Sequence, residues 1–212
     1  PPRSTPLYSS AASDVYKRQV AKMCCDRTVS CDIRPISDMR VQNEDTDKCD
    51  HPPARQPKHR ELARLGYWWK ARHPGVPLVC AKRDVSRAFK WHGLAPADVP
   101  EFGMRLPGQH AGVPGDVLAI YCVLNFGWTG APGEFMVQTW AVKKVHASHR
   151  PPHPWRNDTV AFASKWLMDD SVVLEPLVGL RPWLSMAVLE RCMRTGWGPG
   201  ACLLYTSPSP RD

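Results

Sequence analysis

The chain has 212 residues and a formal net charge of +8 at pH 7. This length accommodates one domain, or one domain and part of another, and the basic balance weakly favours a polyanionic partner such as nucleic acid. The longest apolar run, Val117 to Leu124, is far too short to span a bilayer, so we expect no membrane partner. Eight cysteines without a Cys-x-x-Cys pair indicate reduced thiols in an intracellular protein rather than a secreted disulfide framework.

The two ends of the chain resemble translated adaptors of transposase-based sequencing libraries. Asp14 to Gln19 corresponds to the codons gat-gtg-tat-aag-aga-cag, and Cys202 to Ser207 corresponds to tgt-ctc-tta-tac-aca-tct. We therefore expect residues 1–19 and 202–212 to be adaptor-derived, disordered tails. The alternative is that both ends are ordinary polar tails.

The first half of the chain predicts short strands, then a helix, a strand and a second helix. Val20 to Asp50 is mixed and polar, which is typical of short strands and turns, and residues 51–57 are proline-rich extended chain. Apolar residues at helical spacing predict a helix over Lys58 to Arg72. Val76 to Arg83 reads as an apolar strand, and Pro96 to Met104 as a helix opened by its proline.

The second half predicts another strand, a long helix, a hairpin and a final helix. The strand is Val117 to Leu124, and the helix begins at Pro132 after a glycine-rich loop. Phe162 to Met168 and Ser171 to Leu174 form the hairpin, and Pro182 to Arg194 the final helix. This order predicts an α+β fold with a mostly antiparallel sheet and helices packed on one face.

Three acids lie in apolar surroundings that surface acids rarely have. Asp84 ends the strand at Val76 to Arg83, and Asp169 and Asp170 lie at the turn of the hairpin. Adjacent carboxylates repel each other and need a compensating cation, for which Mg²⁺ is suited. If the strands are neighbours, the three carboxylates converge on a site for two Mg²⁺ ions, with Mn²⁺ as an alternative ion. The competing interpretation is that the pair is only a turn.

Four sequence blocks surround or contain these acids. They are Arg34-Pro-Ile-Ser-Asp-Met-Arg40-Val-Gln-Asn43, Lys82-Arg-Asp84-Val-Ser-Arg-Ala-Phe89, Leu124-Asn-Phe126-Gly127-Trp-Thr-Gly-Ala-Pro132-Gly-Glu-Phe135 and Leu167-Met-Asp169-Asp170. In this order and at these spacings they resemble the conserved blocks of reverse transcriptases of the retrotransposon type. The sequence departs from the family at Leu167, where an aromatic residue is usual, and at Asn125, which replaces a proline.

The resemblance implies an incomplete polymerase. Residues 20–75 would be partial fingers and residues 76–201 a palm truncated before the thumb. The implied activity is template-directed transfer of deoxynucleotides, with deoxynucleoside triphosphates and an RNA or DNA template with primer as partners. Processive synthesis by this part alone is expected to be very weak or absent.

The resemblance also implies a role for each residue of the site. The catalytic and metal-binding residues would be Asp84 and Asp169, supported by Asp170. The nucleotide-binding residues would be Arg34, which faces the triphosphate, together with Val85, Phe89, Phe126 and Gly127. Phe89 would be the steric gate against a ribose 2′-hydroxyl. For Arg34 the alternative is an ordinary surface arginine, and for Phe89 and Phe126 it is packing in the core.

Two other functions are compatible with the same residues. One is a retroelement remnant that binds nucleic acid without catalysis. The other is a zinc-dependent structural or interaction domain, although the spacing of its candidate ligands matches no standard finger. Those candidates are Cys24, Cys25, Cys31, Cys49 and His51.

Overall fold

The computed structural model describes residues 18–23, 29–36, 38–152 and 158–203, with side chains in 38–152, apart from 110 and 111, and in 158–201. It combines helices with antiparallel strand pairings among the described residues, which is compatible with the α+β class. None of the helices in these ranges is long and apolar enough to cross a membrane.

The elements follow one another in chain order as strands and helices of ordinary length. They are β1 (Arg18–Met23), β2 (Val29–Ile36), α1 (Arg40–Glu44), α2 (His59–Arg72), β3 (Leu78–Val85), β4 (Gly103–Pro107), β5 (Asp116–Ile120), α3 (Ala131–Ala147), β6 (Ser164–Leu167), β7 (Asp170–Pro176), α4 (Arg181–Trp197) and β8 (Cys202–Leu203). The predicted helix before Pro74, the helix at Pro132, the hairpin and the final helix are confirmed.

The chain divides into two compact units. The ribbon unit comprises residues up to Asp50 and His92–Ala131, and the sheet unit comprises His51–Trp91 and the residues from Pro132 onward. The ribbon unit contains two separate two-stranded ribbons, β1 with β2 and β4 with β5. The sheet unit contains one four-stranded sheet in the order β6-β7-β3-β8.

One face of this sheet is covered by the main core of the sheet unit. Trp166 and Val173 alternate onto this face and are buried. The Trp197 ring of α4 stacks on the Phe135 ring of α3, with centroids 5.6 Å apart, and its centroid lies 5.7 Å from that of Trp166. Both long helices therefore pack on the same side of the sheet, where burial of aromatic surface stabilises the unit.

The expectation that helices occupy only one face is wrong. A β-carbon on Gly66 of α2 would lie 3.4 Å from Leu174 Cδ2 and 3.7 Å from Leu78 Cδ1. In the sheet register these leucines alternate to the face opposite Val173. Helix α2 therefore covers one end of the second face, because the apolar leucines there need a partner.

The predicted helix over Pro96 to Met104 is also wrong. Only a 3₁₀ turn forms, at Val99–Phe102, and the chain then enters β4. Pro100 explains the difference, because proline removes a backbone donor and disfavours the α conformation of the preceding residue.

The expected disordered tails differ from the structure at their inner margins. Arg18 and Gln19 belong to β1, and Cys202 and Leu203 form β8. Cys202 and Leu203 pair with Val85 and Asp84, whose outer edge would otherwise offer unpaired backbone groups. Residues 1–17 and 204–212 lie outside the described residues.

Candidate active site

The tip of the β6–β7 hairpin is a two-residue turn. Leu167 pairs with Asp170, which leaves Met168 and Asp169 as the turn residues. Met168 has a φ of 57°, a left-handed conformation that β-carbons disfavour. The backbone N–H of Val85 donates to the carbonyl of Asp169 at 3.0 Å, so the turn is tied to the end of β3.

The antiparallel register places Asp84 directly opposite Asp170. Opposite residues of neighbouring strands share a face and have Cα atoms roughly 4.5–5.5 Å apart. Asp84, Asp169 and Asp170 are each partly exposed, unlike Ser171 and Val173 on the core side. The sheet thus brings Asp84 and Asp170 together on its open face, with Asp169 next along the chain in the turn.

A lysine lies within the same group of side chains. Lys82 precedes Asp84 by two residues, which puts both on the open face. Its ammonium Nζ lies 2.7 Å from Asp170 Oδ2, and the two side chains are 55% and 35% exposed. The strand alternation could have identified Lys82 from the sequence, although we assigned it no role.

The donor set suits a hard divalent cation in chemistry and register. Carboxylate oxygens are the ligands that Mg²⁺ takes from proteins, and Asp84 and Asp170 present them from adjacent strands. Within the described residues, however, no group of three or more His, Cys, Asp or Glu side chains is arranged to hold a metal ion. A cation would have to compete with the Lys82 ammonium for Asp170.

Two of the five predicted nucleotide-binding residues lie in the interior of the sheet unit. Val85 is buried, and Phe89 is 5% exposed. The Phe89 ring makes an edge-to-face contact with Phe135, with centroids 5.5 Å apart. In this conformation Phe89 packs in the core, which is the alternative that the sequence left open.

The remaining predicted residues belong to the ribbon unit. Phe126 is 57% exposed, and Gly127 has a φ of 95°. Asn43 fixes this loop, because its Nδ2 donates to the Gly127 carbonyl at 2.8 Å and its Oδ1 accepts from the Thr129 N–H at 2.7 Å. Asn43 closes the first sequence block, but the sequence assigned it no role. The backbone of Arg34 lies in β2, and its side chain lies outside the described residues.

One buried acid was not anticipated. Glu175 of β7 is fully buried and accepts a hydrogen bond from Arg181 Nε at 2.6 Å. Arg181 also donates to Asp158 at 2.8 Å, and the Ser185 hydroxyl donates to Glu175 Oε1 at 3.1 Å. Burial raises the pKa of the Glu175 carboxyl, against the opposing charge of Arg181. Because the Glu175 and Arg181 side chains are fully buried, we assign this pair a role in the fold.

The zinc interpretation gains nothing from the described ligands. His51 Nδ1 lies 3.0 Å from Glu134 Oε1, so a carboxylate already engages this ring. The negative charge of Asp47 raises the pKa of the Cys49 thiol, which disfavours the thiolate that zinc requires. Cys24 and Cys25 lie outside the described residues.

No protein-family model matches this chain, and no curated protein is significantly similar to it. The chemistry of the site and the four sequence blocks therefore carry the functional interpretation.

Proposed function

We propose that this chain contains the palm and part of the fingers of an RNA-directed DNA polymerase of the retrotransposon type. The observation that carries this proposal is the register that sets Asp84 opposite Asp170 beside a turn containing Asp169. The sequence blocks suggest these acids as partners, although they are far apart along the chain. Their cross-strand position supports the proposal, because carboxylates that share metal ions have to lie close together.

Asp84, Asp169 and Asp170 would hold two Mg²⁺ ions. When bound, the ions would supply charge neutralisation at the primer 3′-hydroxyl and at the triphosphate of the incoming deoxynucleotide. Asp84 and Asp170 would hold these charges at the open face of the sheet, and the tie between Val85 and Asp169 would fix the turn. Lys82 would leave Asp170 on metal binding, which its exposure permits.

Single-nucleotide incorporation on a labelled template-primer tests this proposal, because it does not require processive synthesis. We expect weak Mg²⁺- or Mn²⁺-dependent addition of one deoxynucleotide, and loss of that addition in Asp84→Asn. Asp98→Asn is the matched control, because Asp98 is an exposed acid of the ribbon unit. Binding of Mn²⁺, followed by electron paramagnetic resonance, should weaken in Asp84→Asn and not in Asp98→Asn.

Equal Mn²⁺ binding by Asp84→Asn and the unmodified chain would contradict the proposal even if no incorporation were detected. Robust, processive synthesis by the chain alone would contradict its assignment as an incomplete polymerase. Incorporation and Mn²⁺ binding are measured on the same protein preparations. A folding defect in Asp84→Asn would be visible as a difference between its circular dichroism spectrum and that of the unmodified chain.

The Lys82–Asp170 ion pair favours a second candidate function. An ammonium at 2.7 Å already balances the charge of one of the three acids without a metal. A remnant that binds nucleic acid without catalysis would fit this arrangement. Salt-sensitive nucleic-acid binding that is unaffected by Mg²⁺ and by Asp84→Asn, without any incorporation, would favour the remnant.

A further inference from the structure

The exposed side of α2 combines basic and aromatic side chains. This α2 outer face consists of Arg60, Arg64, Tyr67, Trp68 and Arg72, which fall within about 140° of the helix circumference at 3.6 residues per turn. Tyr67 is 83% exposed and Trp68 is 44% exposed. Two adjacent aromatic rings open to solvent on a helix are unusual for side chains that serve only the core.

The α2 outer face is held rigidly from below. Trp69, adjacent to Trp68, is buried, and its indole N–H donates to the Leu174 carbonyl at 3.0 Å. The Trp69 ring also contacts Arg181, whose guanidinium carbon lies 4.6 Å from the ring centroid. The Trp68 ring meets Trp69 edge to face, with centroids 4.5 Å apart. Trp68 is therefore a preorganised platform rather than a freely rotating surface ring.

The charge of this region is strongly positive. Helix α2 carries four Lys or Arg residues and one acid, Glu61. The Glu61 carboxylate lies 3.3 Å from Lys165 Nζ, and its negative charge is thus already engaged. Burial lowers the pKa of Lys143, and the positive charge of the nearby Lys165 lowers it further. Within the described side chains, Arg60 and Arg64 have no salt-bridge partner.

An arginine also extends the aromatic platform. The Arg72 guanidinium carbon lies 5.6 Å from the Trp68 ring centroid, within the range of a cation–π contact. A flat ring beside a planar cation suits a nucleobase stacked on the ring and a phosphate bound to the cation. Arg64 and Arg60, about one and two turns from Trp68, are positioned for further phosphates of the same strand.

We propose that the α2 outer face binds single-stranded nucleic acid by stacking bases on Tyr67 and Trp68 and pairing phosphates with Arg60 and Arg64. This inference rests on nucleic acid being the partner of the proposed function, but it does not depend on catalysis. An acidic peptide could satisfy the arginines alone. The paired rings favour nucleic acid, because every base has a face that stacks.

Fluorescence anisotropy with a labelled 12-nucleotide oligo(dT) tests the inference, in buffer containing EDTA so that no divalent ion contributes. We expect Tyr67→Ala/Trp68→Ala to weaken binding by about 10- to 100-fold. The matched control is Trp183→Ala, because Trp183 is 59% exposed on α4 of the same unit. Trp68→Phe should bind nearly as the unmodified chain does, which separates loss of stacking from loss of folding.

The charge of the face is tested by the dependence of affinity on salt. Arg60→Gln/Arg64→Gln should reduce the magnitude of the negative slope of log affinity against log salt by about 1.4, at about 0.7 for each phosphate of a single strand. Unchanged binding by Tyr67→Ala/Trp68→Ala, or an equal loss in Trp183→Ala, would overturn the inference. So would displacement of the oligonucleotide by poly-glutamate as effective as that by unlabelled oligo(dT), because the face would then recognise charge alone.

The two proposals fail separately. Intact dependence on Tyr67 and Trp68 without incorporation or Mn²⁺ binding would remove the polymerase and leave this surface. Asp84-dependent incorporation by a chain whose affinity ignores Tyr67 and Trp68 would retain the polymerase and remove the surface.

Discussion

Strand β7 carries two acids with opposite environments. Asp170 begins the strand on the open face, where its carboxylate meets the exposed ammonium of Lys82 at 2.7 Å. Glu175 lies near the end of the strand on the core face, fully buried and 2.6 Å from Arg181 Nε. They are five positions apart along the strand, so they project to opposite faces.

The difference shows which acid the fold needs and which it leaves available. Arg181, the partner of Glu175, is buried and donates further hydrogen bonds to Asp158 and to two backbone carbonyls. The partner of Asp170 is a flexible, mostly exposed lysine that can be exchanged for another cation. Loss of the buried pair should therefore affect folding, and loss of the exposed pair should affect only ligand binding.

Arg181→Ala should produce the largest loss of stability. It leaves the Glu175 carboxylate buried without its counter-ion, and breaking such a buried pair destabilises a protein by about 3–5 kcal/mol. Urea unfolding followed by circular dichroism measures the change. The double variant Arg181→Met/Glu175→Leu should recover a large part of the loss, because it removes both fully buried charges. A double variant less stable than Arg181→Ala would show that the pair is not the cause.

The buried histidine of the same network should make stability depend on pH. Burial lowers the pKa of His146 from 6.5 to about 4. Its Nε2 lies 3.0 Å from the Ser185 carbonyl. A second proton would bind at Nδ1, which is buried and has no hydrogen-bond partner within the described residues. The contribution of the neutral ring is complete above pH 6.5 and decreases as the pH falls towards 4, where the unfolded chain binds more protons.

Protonation of His146 should lower the free energy of unfolding by up to about 3 kcal/mol as the pH falls from 6.5 to about 4. Urea unfolding at several pH values between 7 and 4 measures it. His146→Gln should remove most of the slope, and His149→Gln, at the end of the same helix, should retain it. An unchanged slope in His146→Gln would assign the pH dependence to other groups.

Asp170→Asn should change the free energy of unfolding by less than about 1 kcal/mol, because an exposed ion pair contributes little in water. Urea unfolding at the same pH and salt as for the Arg181 variant provides the direct comparison. A loss as large as that of Arg181→Ala would abolish the distinction between the two ends of β7.

The smallest change in stability is expected for Lys82→Ala, at roughly 0.5 kcal/mol or less. The same substitution should strengthen Mn²⁺ binding several-fold, because it removes the cation that competes for Asp170. Lys90→Ala is a matched control, since Lys90 is also an exposed lysine of the sheet unit. Weaker Mn²⁺ binding in Lys82→Ala would indicate that the lysine supports the acid site rather than competing there.

Much of the fold could be predicted from local patterns, because α2 and α4 carry apolar residues at helical spacing and α3 has a proline in its first turn after a glycine-rich loop. The buried face of α3 was not predicted, because Val137 and Val145 are exposed there. The predicted helix at Pro96 failed because Pro100, at its centre, was given too little weight. The packing of α2 on the second face of the sheet could not be predicted, because the contact of Gly66 with Leu174 joins residues far apart in the chain. Periodicity alone does not say which helix covers which side of a sheet.

The candidate site could be predicted only in part. Asp84, Asp169 and Asp170 were recognised from their apolar neighbours, although the turn is Met168–Asp169 and Asp170 is already strand. Glu175 also follows an apolar run, Val172–Leu174, so the same criterion could have identified it. Its role could not be predicted, because only the structure locates its partner Arg181. The core position of Phe89 depends on Phe135 of a distant helix, which no local pattern contains.

The left-handed conformation of Met168 also bears on the order in which the chain folds. A residue with a β-carbon in this region costs about 1–2 kcal/mol, and an isolated two-stranded hairpin is only marginally stable. The β6–β7 hairpin should therefore not nucleate folding by itself. It should close only once β3, distant in sequence, has paired with β7 and Val85 has reached Asp169, and such long-range pairing is slow. In kinetic terms, we expect the acid-bearing tip to form late in folding, after the local helical structure.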